Sequence, residues 1–436
     1  MRMDFLSLKD NLLKGSAILF VSSMVGNIAN YLFQFFMSRH LSIEDFGTMN
    51  SLLSLMVITA VPAMAILLLS TKYVSMFKAN KELEKIRVFQ KKILVNLAKY
   101  GFIALVFMLF ITPLTANYLH ITSLLPVIIL VLLIFFSFLA PVNFGIAQGL
   151  QLFFPMGVWG SLCACLKLLL GIILVLAGLN LNGAMTAIFF SVIALFIMPF
   201  YYFRKLPRTD VILDDLGIGI KKIVTDSMPV VLSTLGIMIL TNMDIILVKH
   251  YFAAEDAGIY ASVSVLGRTI FYLPGVIAMA MFPIVSESHA LENNTHHLLV
   301  KSILITMLIA GPGLILFFLF PKQLLSMLFG NTFGQGAFLL RFFSVAMFFM
   351  ALNNILANFC LAIEKRFFII VLLSGCIAEF LLIHFFHQSL IVVIYIITAL
   401  SFLVCIVLIC HIFIIMAEKK AVSSKSILQL KKSAIT

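Results

Sequence analysis

Long apolar stretches separated by short polar breaks make up almost the whole chain. Val127–Phe138 reads VIILVLLIFFSF, and similar stretches recur through all 436 residues. A helix needs roughly 20 consecutive apolar residues to cross the hydrocarbon core of a bilayer. The pattern therefore predicts an all-α integral membrane protein with about twelve transmembrane helices. The predicted spans are residues 15–37, 47–70, 93–115, 123–146, 156–178, 183–203, 227–248, 258–283, 298–320, 337–361, 367–387 and 389–416.

The basic residues lie mainly in alternate connections between these spans. With the N-terminus inside, 22 Lys and Arg fall in inside segments, and three, Arg39, Lys249 and Lys322, fall in outside segments. Positive residues accumulate on the cytoplasmic side of membrane proteins. The bias predicts that both termini are cytoplasmic. It also accounts for the net charge of +12, so nucleic acid is not an expected partner.

A similar motif occurs at the same helix junction in each half of the chain. RHLSIEDFG (39–47) separates the first two predicted spans, and KHYFAAEDAG (249–258) separates the seventh and eighth. Six helices then run in the same direction in each half, as in transporters built from parallel repeats around a central cavity. The predicted parts are an N-terminal six-helix bundle (1–203), a cytoplasmic basic linker (204–226), a C-terminal six-helix bundle (227–416) and a cytoplasmic basic tail (417–436).

The residues around these junctions also resemble a known family. Phe46-Gly47 follows a basic residue and a polar turn; Asp244 lies in the seventh span, before Ala257-Gly258-x-Tyr260 and Gly267-Arg268. With the six-plus-six layout, this is similar to the polysaccharide-transporter family of Wzx-type flippases, in the multidrug/oligosaccharidyl-lipid/polysaccharide superfamily. The resemblance implies a bacterial cytoplasmic-membrane protein that moves an undecaprenyl-pyrophosphate-linked oligosaccharide, for O-antigen or capsular polysaccharide, to the outer leaflet. Polysaccharide-assembly proteins are further expected partners.

One face of the first span is polar along its whole length. Ser23, Asn27, Asn30, Gln34 and Ser38 recur at spacings of three or four residues, which places them on one side of a helix. Such a face is unsuited to lipid. It either hydrogen-bonds to another helix or lines a cavity, and we favour the cavity.

Three charged residues lie near the centres of their spans, where a charge costs about 2.5–3.5 kcal/mol. They are Lys167, Arg268 and Glu379. In one interpretation Glu379 forms a structural ion pair with Lys167 or Arg268. In the other, Lys167 and Arg268 bind an anionic pyrophosphate, because arginine and lysine match phosphate oxygens. The predicted substrate-binding set is Lys167, Arg268, Arg39, Asn27, Asn30 and Gln34.

Asp244 and Glu379 are the candidate ion-coupling carboxylates. Asp244 follows Thr241 and Asn242 in the outer third of the seventh span. A carboxylate at this depth is a candidate proton carrier. The alternative is an ion pair with Lys249 or Arg39. By the resemblance, either a proton or a sodium gradient would drive transport.

Two other functions compete with the flippase. A multidrug or cation antiporter of the same superfamily would be favoured by a cavity rich in carboxylates. A membrane-embedded polymerase or ligase would need a large outer loop, but the longest predicted one, near Pro321–Ala337, has about 17 residues and no carboxylate. We therefore expect a transporter and not an enzyme.

Other residues give no sign of a cofactor or a metal. The six cysteines all fall in predicted spans without a CxxC motif, and the nine histidines form no metal-binding pattern. No phosphate-binding glycine loop is present. Trp159, the only tryptophan, is predicted to anchor a helix at the membrane surface.

Overall fold

A computed structural model of the protein describes residues 22, 24–204, 220–291 and 295–433. Within these residues the chain is helical, with short turns and no strand. The helices are α1 (24–40), α2 (Ile43–Ala60), α3 (Ala63–Ala79), α4 (Leu83–Tyr118), α5 (Leu125–Gly149), α6 (Phe153–Leu174), α7 (Asn180–Phe203), α8 (Ile220–Tyr251), α9 (Ala254–Tyr272), α10 (Gly275–Ala290), α11 (His296–Leu319), α12 (Pro321–Phe329), α13 (Ala337–Ala362), α14 (Phe367–Phe385) and α15 (Leu390–Ser433).

Each predicted span contains one helix or two consecutive helices, and of the described helices only α12 lies outside the predicted spans. In the described part of the chain, nine helical stretches are long and apolar enough to cross a membrane, and the pair α2 and α3, bent by 44°, makes a tenth. One stretch, Phe153–Phe203, contains two predicted spans. Helix α1 is the described part of the first span. The prediction of an all-α membrane protein is confirmed.

Gly178 explains why a 51-residue helical stretch contains two spans. Its φ of 88° and ψ of 7° are non-helical, and they fall within a short π-helical segment, Val175–Leu179. A side chain on Cβ makes this left-handed backbone costly, whereas glycine adopts it freely. The chain therefore reverses between α6 and α7.

The predicted outer connection near Pro321–Ala337 has its own structure. Helix α12 occupies its first half, and a 3₁₀-helix, Asn331–Gly336, occupies most of the rest. At the other end, α15 continues through the predicted boundary at residue 416 as far as Ser433. Residues 205–219 of the predicted linker lie outside the described residues.

The chain divides into two compact units. The first unit is Met1–Val231 with Val248–Ala261 and Leu328–Gly330, and the second unit is Leu232–Leu247, Ser262–Met327 and Asn331–Thr436. The predicted six-plus-six domains thus differ from this division mainly by the two short segments 248–261 and 328–330. Whether each predicted bundle acts as a domain stays a prediction.

The first unit is built around α5, which packs against α3, α4 and α7. A buried polar chain helps to join three of these helices. Gln90 Nε2 donates to Asn143 Oδ1 at 2.7 Å, and Asn143 Nδ2 donates to Phe196 O at 2.8 Å. Trp159 is buried in the aromatic core beside Phe203, so its predicted role as a surface anchor is wrong.

The second unit is built around α13, which packs against α10, α11 and α15. Asn353 Nδ2 donates to Ser401 O at 2.8 Å and joins α13 to α15 inside the core. Helix α14 lies close to α8 because Gly236 leaves space for Leu372. Cys376 Sγ donates to Gly236 O at 3.3 Å in the same contact.

Candidate functional site

The polar face of α1 lies in the first unit and changes character along its length. Asn27 and Asn30 are exposed, Gln34 is half-buried and Ser38 is buried. Gln34 Nε2 donates to Asn50 Oδ1 at 3.1 Å, and Ser38 Oγ lies 3.2 Å from Phe329 O. The C-terminal part of the face therefore hydrogen-bonds to neighbouring helices. The amides of Asn27 and Asn30, nearer the start of α1, stay accessible. Ser23 lies outside the described residues.

Helix α6 brings Lys167 to this polar face. Lys167 Nζ donates to Asn30 Oδ1 at 2.5 Å and lies 4.8 Å from the centre of the Phe33 ring. The two helices approach closely because Gly171 has no side chain where Phe33 and Met37 pack. Small residues at helix interfaces commonly permit such contacts in membranes.

Within the described part of the chain, no ion pair joins Lys167 to a carboxylate. Its contacts in the described residues are an amide oxygen and the face of an aromatic ring, both electrically neutral as whole groups. Both interactions stabilise a cation, but neither cancels its charge. This part of the first unit is therefore electropositive, with amides available beside the lysine.

The second unit holds a different charged group. Arg268 Nη2 of α9 donates to Asp244 Oδ1 of α8 at 2.7 Å. Asp244 is 1% exposed and Arg268 is 7% exposed, so the ion pair is buried. Gly267, the residue before Arg268, allows the ring of Phe343 to pack directly against α9. Breaking such a buried pair leaves an uncompensated charge.

Glu379 of α14 belongs to the same group. It is 1% exposed and interacts electrostatically with both Asp244 and Arg268. Its Oε1 atom is buried and accepts no hydrogen bond from the residues that the structure describes. The acidic triad Asp244, Arg268 and Glu379 therefore contains two carboxylates and one guanidinium.

The structure thus separates the residues predicted from sequence into two sets. Lys167, Asn27, Asn30 and Gln34 belong to the first unit, and the acidic triad belongs to the second. The ion-pair partner of Arg268 is Asp244, although Glu379 was the expected partner and Lys249 or Arg39 the expected partners of Asp244.

The remaining basic candidates lie at helix ends. Arg39 is exposed near the end of α1, and Lys249 is buried in the first unit and interacts with Glu44 and Asp45. Sequence reasoning missed this last contact. The signal was present, because Lys249 and the two acids belong to the two copies of the repeated motif.

The fold is shared with solved transporter structures. An inward-facing multidrug resistance MATE family transporter of the MOP superfamily superimposes with a TM-score of 0.73 at 16% identity, covering 91% of this chain and 95% of the other. The lipid II flippase MurJ in an inward closed conformation gives 0.70 at 14% identity, covering 92% and 87%. The eukaryotic MATE transporter AtDTX14 gives 0.64 at 15% identity, covering 92% and 96%.

These similarities define the class of fold, an all-helical membrane-protein fold that the chain shares with these transporters. The particular family follows from the sequence profile described as polysaccharide biosynthesis protein, which matches residues 12–289. The chain belongs to this family. No curated protein matches the chain by sequence. The predicted family relationship is confirmed.

Proposed function

We propose that this transporter is a flippase for an undecaprenyl-pyrophosphate-linked oligosaccharide in the bacterial cytoplasmic membrane. Membership of the polysaccharide biosynthesis family and the fold in common with a lipid II flippase support this substrate class. The headgroup and sugars would cross by alternating access while the polyprenyl tail remains in lipid. Polysaccharide-assembly proteins would supply the substrate and receive the product.

The observation that carries the proposal is the charge of Lys167, which pairs with no carboxylate among the described residues. A lysine inside a span is costly unless a function or a partner requires it. Here its partner is the neutral amide of Asn30, and the exposed amide of Asn27 lies on the same face. A pyrophosphate oxygen would supply the missing negative charge, and the amides would donate hydrogen bonds to phosphate or sugar.

Arg268 takes a different role in this proposal. Its guanidinium already contacts Asp244 at 2.7 Å in a buried environment, so pyrophosphate would have to displace a carboxylate to bind it. We assign it to the acidic triad. Arg39, exposed near the end of the polar helix, is the other basic residue of the proposed headgroup path.

Glu379 is the proposed coupling residue. Glu379 is buried, and its Oε1 accepts no hydrogen bond from the described residues, so its ionised form is unfavourable away from water. Binding of a proton or a sodium ion at Glu379 would neutralise this carboxylate. Release of that ion on the other side would restore its negative charge, so the charge state of the triad would change in each transport cycle.

Transport in proteoliposomes tests the substrate site. The measurement is the flipping of a fluorescent undecaprenyl-pyrophosphate oligosaccharide by the wild type, Lys167→Ala and Lys365→Ala. Lys365 is an exposed lysine and serves as the matched control. We expect flipping by Lys167→Ala to be slower by about 10- to 150-fold, because one charge-assisted contact contributes about 1.5–3 kcal/mol. Equal rates for all three proteins would overturn the Lys167 site.

The coupling role needs gradients imposed on the same liposomes. We expect a proton or a sodium gradient to accelerate flipping by the wild type, and Glu379→Gln to abolish that acceleration. Comparing the two gradients identifies the ion. Glu364→Gln is the control, because Glu364 is an exposed carboxylate in a turn. Full gradient response in Glu379→Gln would exclude Glu379 as the coupling group.

The excess of carboxylates in the acidic triad favours one alternative function. A multidrug or cation antiporter would bind an organic cation where the flippase binds a coupling ion. The fold in common with multidrug transporters is compatible with this function. Proton-driven uptake of ethidium, with no flipping of the lipid-linked oligosaccharide, would establish the antiporter and reject the flippase.

A further inference from the structure

Four helix connections of the first unit surround a polar cavity of about 360 Å³. They are the start of α2, the α4–α5 connection, the α6–α7 turn, and the α8–α9 junction. All four lie on the side of the membrane that the distribution of basic residues predicts to be outside. The cavity is separate from Lys167 and from the acidic triad, neither of which lines it. Pockets for small ligands commonly begin at about 300 Å³.

The lining has the chemistry of a carbohydrate site. Thr48, Thr122 and Ser123 provide hydroxyl groups, and Asn180 and Asn182 provide amides. Hydroxyl and amide groups both donate and accept hydrogen bonds, as the hydroxyls of a sugar do. Asn182 Oδ1 is buried and accepts no hydrogen bond from the described residues. A ligand hydroxyl would satisfy this oxygen, and a buried acceptor without a donor is otherwise costly.

The charges of the lining select against anions. Lys249 is 3% exposed and interacts electrostatically with Glu44 and Asp45. All three residues line the cavity. Two carboxylates and one ammonium leave a net negative charge, which repels an acidic sugar or a phosphate. A neutral sugar meets no such repulsion and gains strong hydrogen bonds from charged partners.

The walls are held in backbone conformations that favour a fixed shape. His120 has a φ of 51°, Gly178 of 88° and Asn180 of 41°, and all three line the cavity. His120 Nε2 also lies 3.1 Å from His250 O, and this contact joins the α4–α5 connection to the α8–α9 junction. Left-handed backbone is costly for non-glycine residues and persists where the surroundings hold it. A preformed wall reduces the entropy lost on binding.

We propose that this cavity binds a neutral sugar residue of the transported oligosaccharide at the outer face of the membrane. The identity of the ligand rests on the proposed flippase function. The cavity would hold the glycan after translocation and so bias the substrate against return. The proposal gives Asn182 and Glu44 a role in sugar recognition, which their positions in the sequence alone do not suggest.

Saturation-transfer NMR on the full-length protein in nanodiscs tests the proposal with free sugars. The probes are N-acetylglucosamine and glucose, with glucuronate as the anionic comparison. We expect transfer to a neutral sugar and little transfer to glucuronate. Asn182→Ala and Glu44→Gln should each weaken binding about tenfold, because the first removes a hydrogen bond to the sugar and the second replaces a charge-assisted hydrogen bond with a neutral one. Thr122→Val removes a hydroxyl group of the lining and should also weaken binding. Because Thr122 is exposed in a helix connection, this change should leave the fold intact.

Matched variants outside the cavity complete the experiment. Asn80→Ala and Glu364→Gln make the same chemical changes at exposed positions, and both should bind the sugar like the wild type. Wild-type protein that binds neither neutral sugar would overturn the proposal. So would binding that the three cavity variants leave unchanged.

The proposed flippase is tested separately on the same preparations. Flipping without sugar binding would overturn the sugar cavity and leave the flippase intact. Sugar binding that the cavity variants weaken, in a protein that fails to flip the lipid-linked oligosaccharide, would support a sugar site and reject the flippase.

Discussion

At the scale of single residues, the charged side chains within the spans have two different environments. Lys167 has a neutral amide partner, whereas Arg268 has a carboxylate partner at 2.7 Å. A cation with a neutral partner can accept an anionic ligand without breaking an ion pair. A cation in a buried pair mainly maintains the structure around it, so the two basic residues should respond differently to substitution.

Replacing Arg268 by alanine should destabilise the protein strongly. The change removes the guanidinium that Asp244 contacts at 2.7 Å, and loss of one partner of a buried ion pair costs about 3–5 kcal/mol. The measurement is thermal unfolding of the purified protein in detergent, compared with Lys167→Ala. We expect a much larger fall in the melting temperature for Arg268→Ala.

The double variant Asp244→Leu/Arg268→Met provides the control for this prediction. Apolar residues of similar volume often replace a buried ion pair without loss of stability. We expect the double variant to regain most of the stability that Arg268→Ala loses. If Arg268→Ala unfolds at the wild-type temperature, the ion pair does not maintain the fold.

At the scale of elements, the repeated motif places equivalent positions of the two halves against each other. Gly47 starts the second span, and Gly258 occupies the equivalent position of the eighth. A Cβ atom added to Gly47 would lie 2.8 Å from Gly258 N, and one added to Gly258 would overlap Ile43 O. Helices α2 and α9 therefore begin in direct backbone contact, which a side chain would prevent.

Gly258→Ala should separate these helix ends. The neighbouring atom is a backbone oxygen, which cannot move aside as a flexible side chain can, and overpacking of this kind costs about 1–3 kcal/mol. Gly311→Ala is the control, because nothing lies within 4 Å of the added carbon in α11. Melting temperatures of the two variants check the prediction, and equal values would show that the close contact is not required.

At the scale of the whole molecule, the basic residues predict the orientation in the membrane. The bias of 22 to three predicts that both termini lie in the cytoplasm. A reporter that is active only in the cytoplasm, fused at the C-terminus, should be active, and one fused in the Pro321–Ala337 connection should not. The opposite result would reverse the orientation and place the polar cavity of the first unit inside the cell.

Much of the architecture followed from the sequence alone. The spans were predicted because the length of an apolar stretch is a local property that the bilayer thickness sets directly. The reversal at Gly178 was found for the same reason, as a break between two such stretches. The polar face of α1 was predicted because helical spacing fixes which side chains share a side.

Only the tertiary structure decided which charges meet. Asp244, Arg268 and Glu379 come from three helices, and Lys249 meets Glu44 and Asp45 of a distant segment. The depth of a residue follows from counting along a helix, but its partner depends on how each helix rotates and packs. That rotation is set by contacts such as Gly236 with Leu372 and Gly171 with Phe33, which are distant in sequence. The chain therefore specifies its spans locally and its sites only through packing.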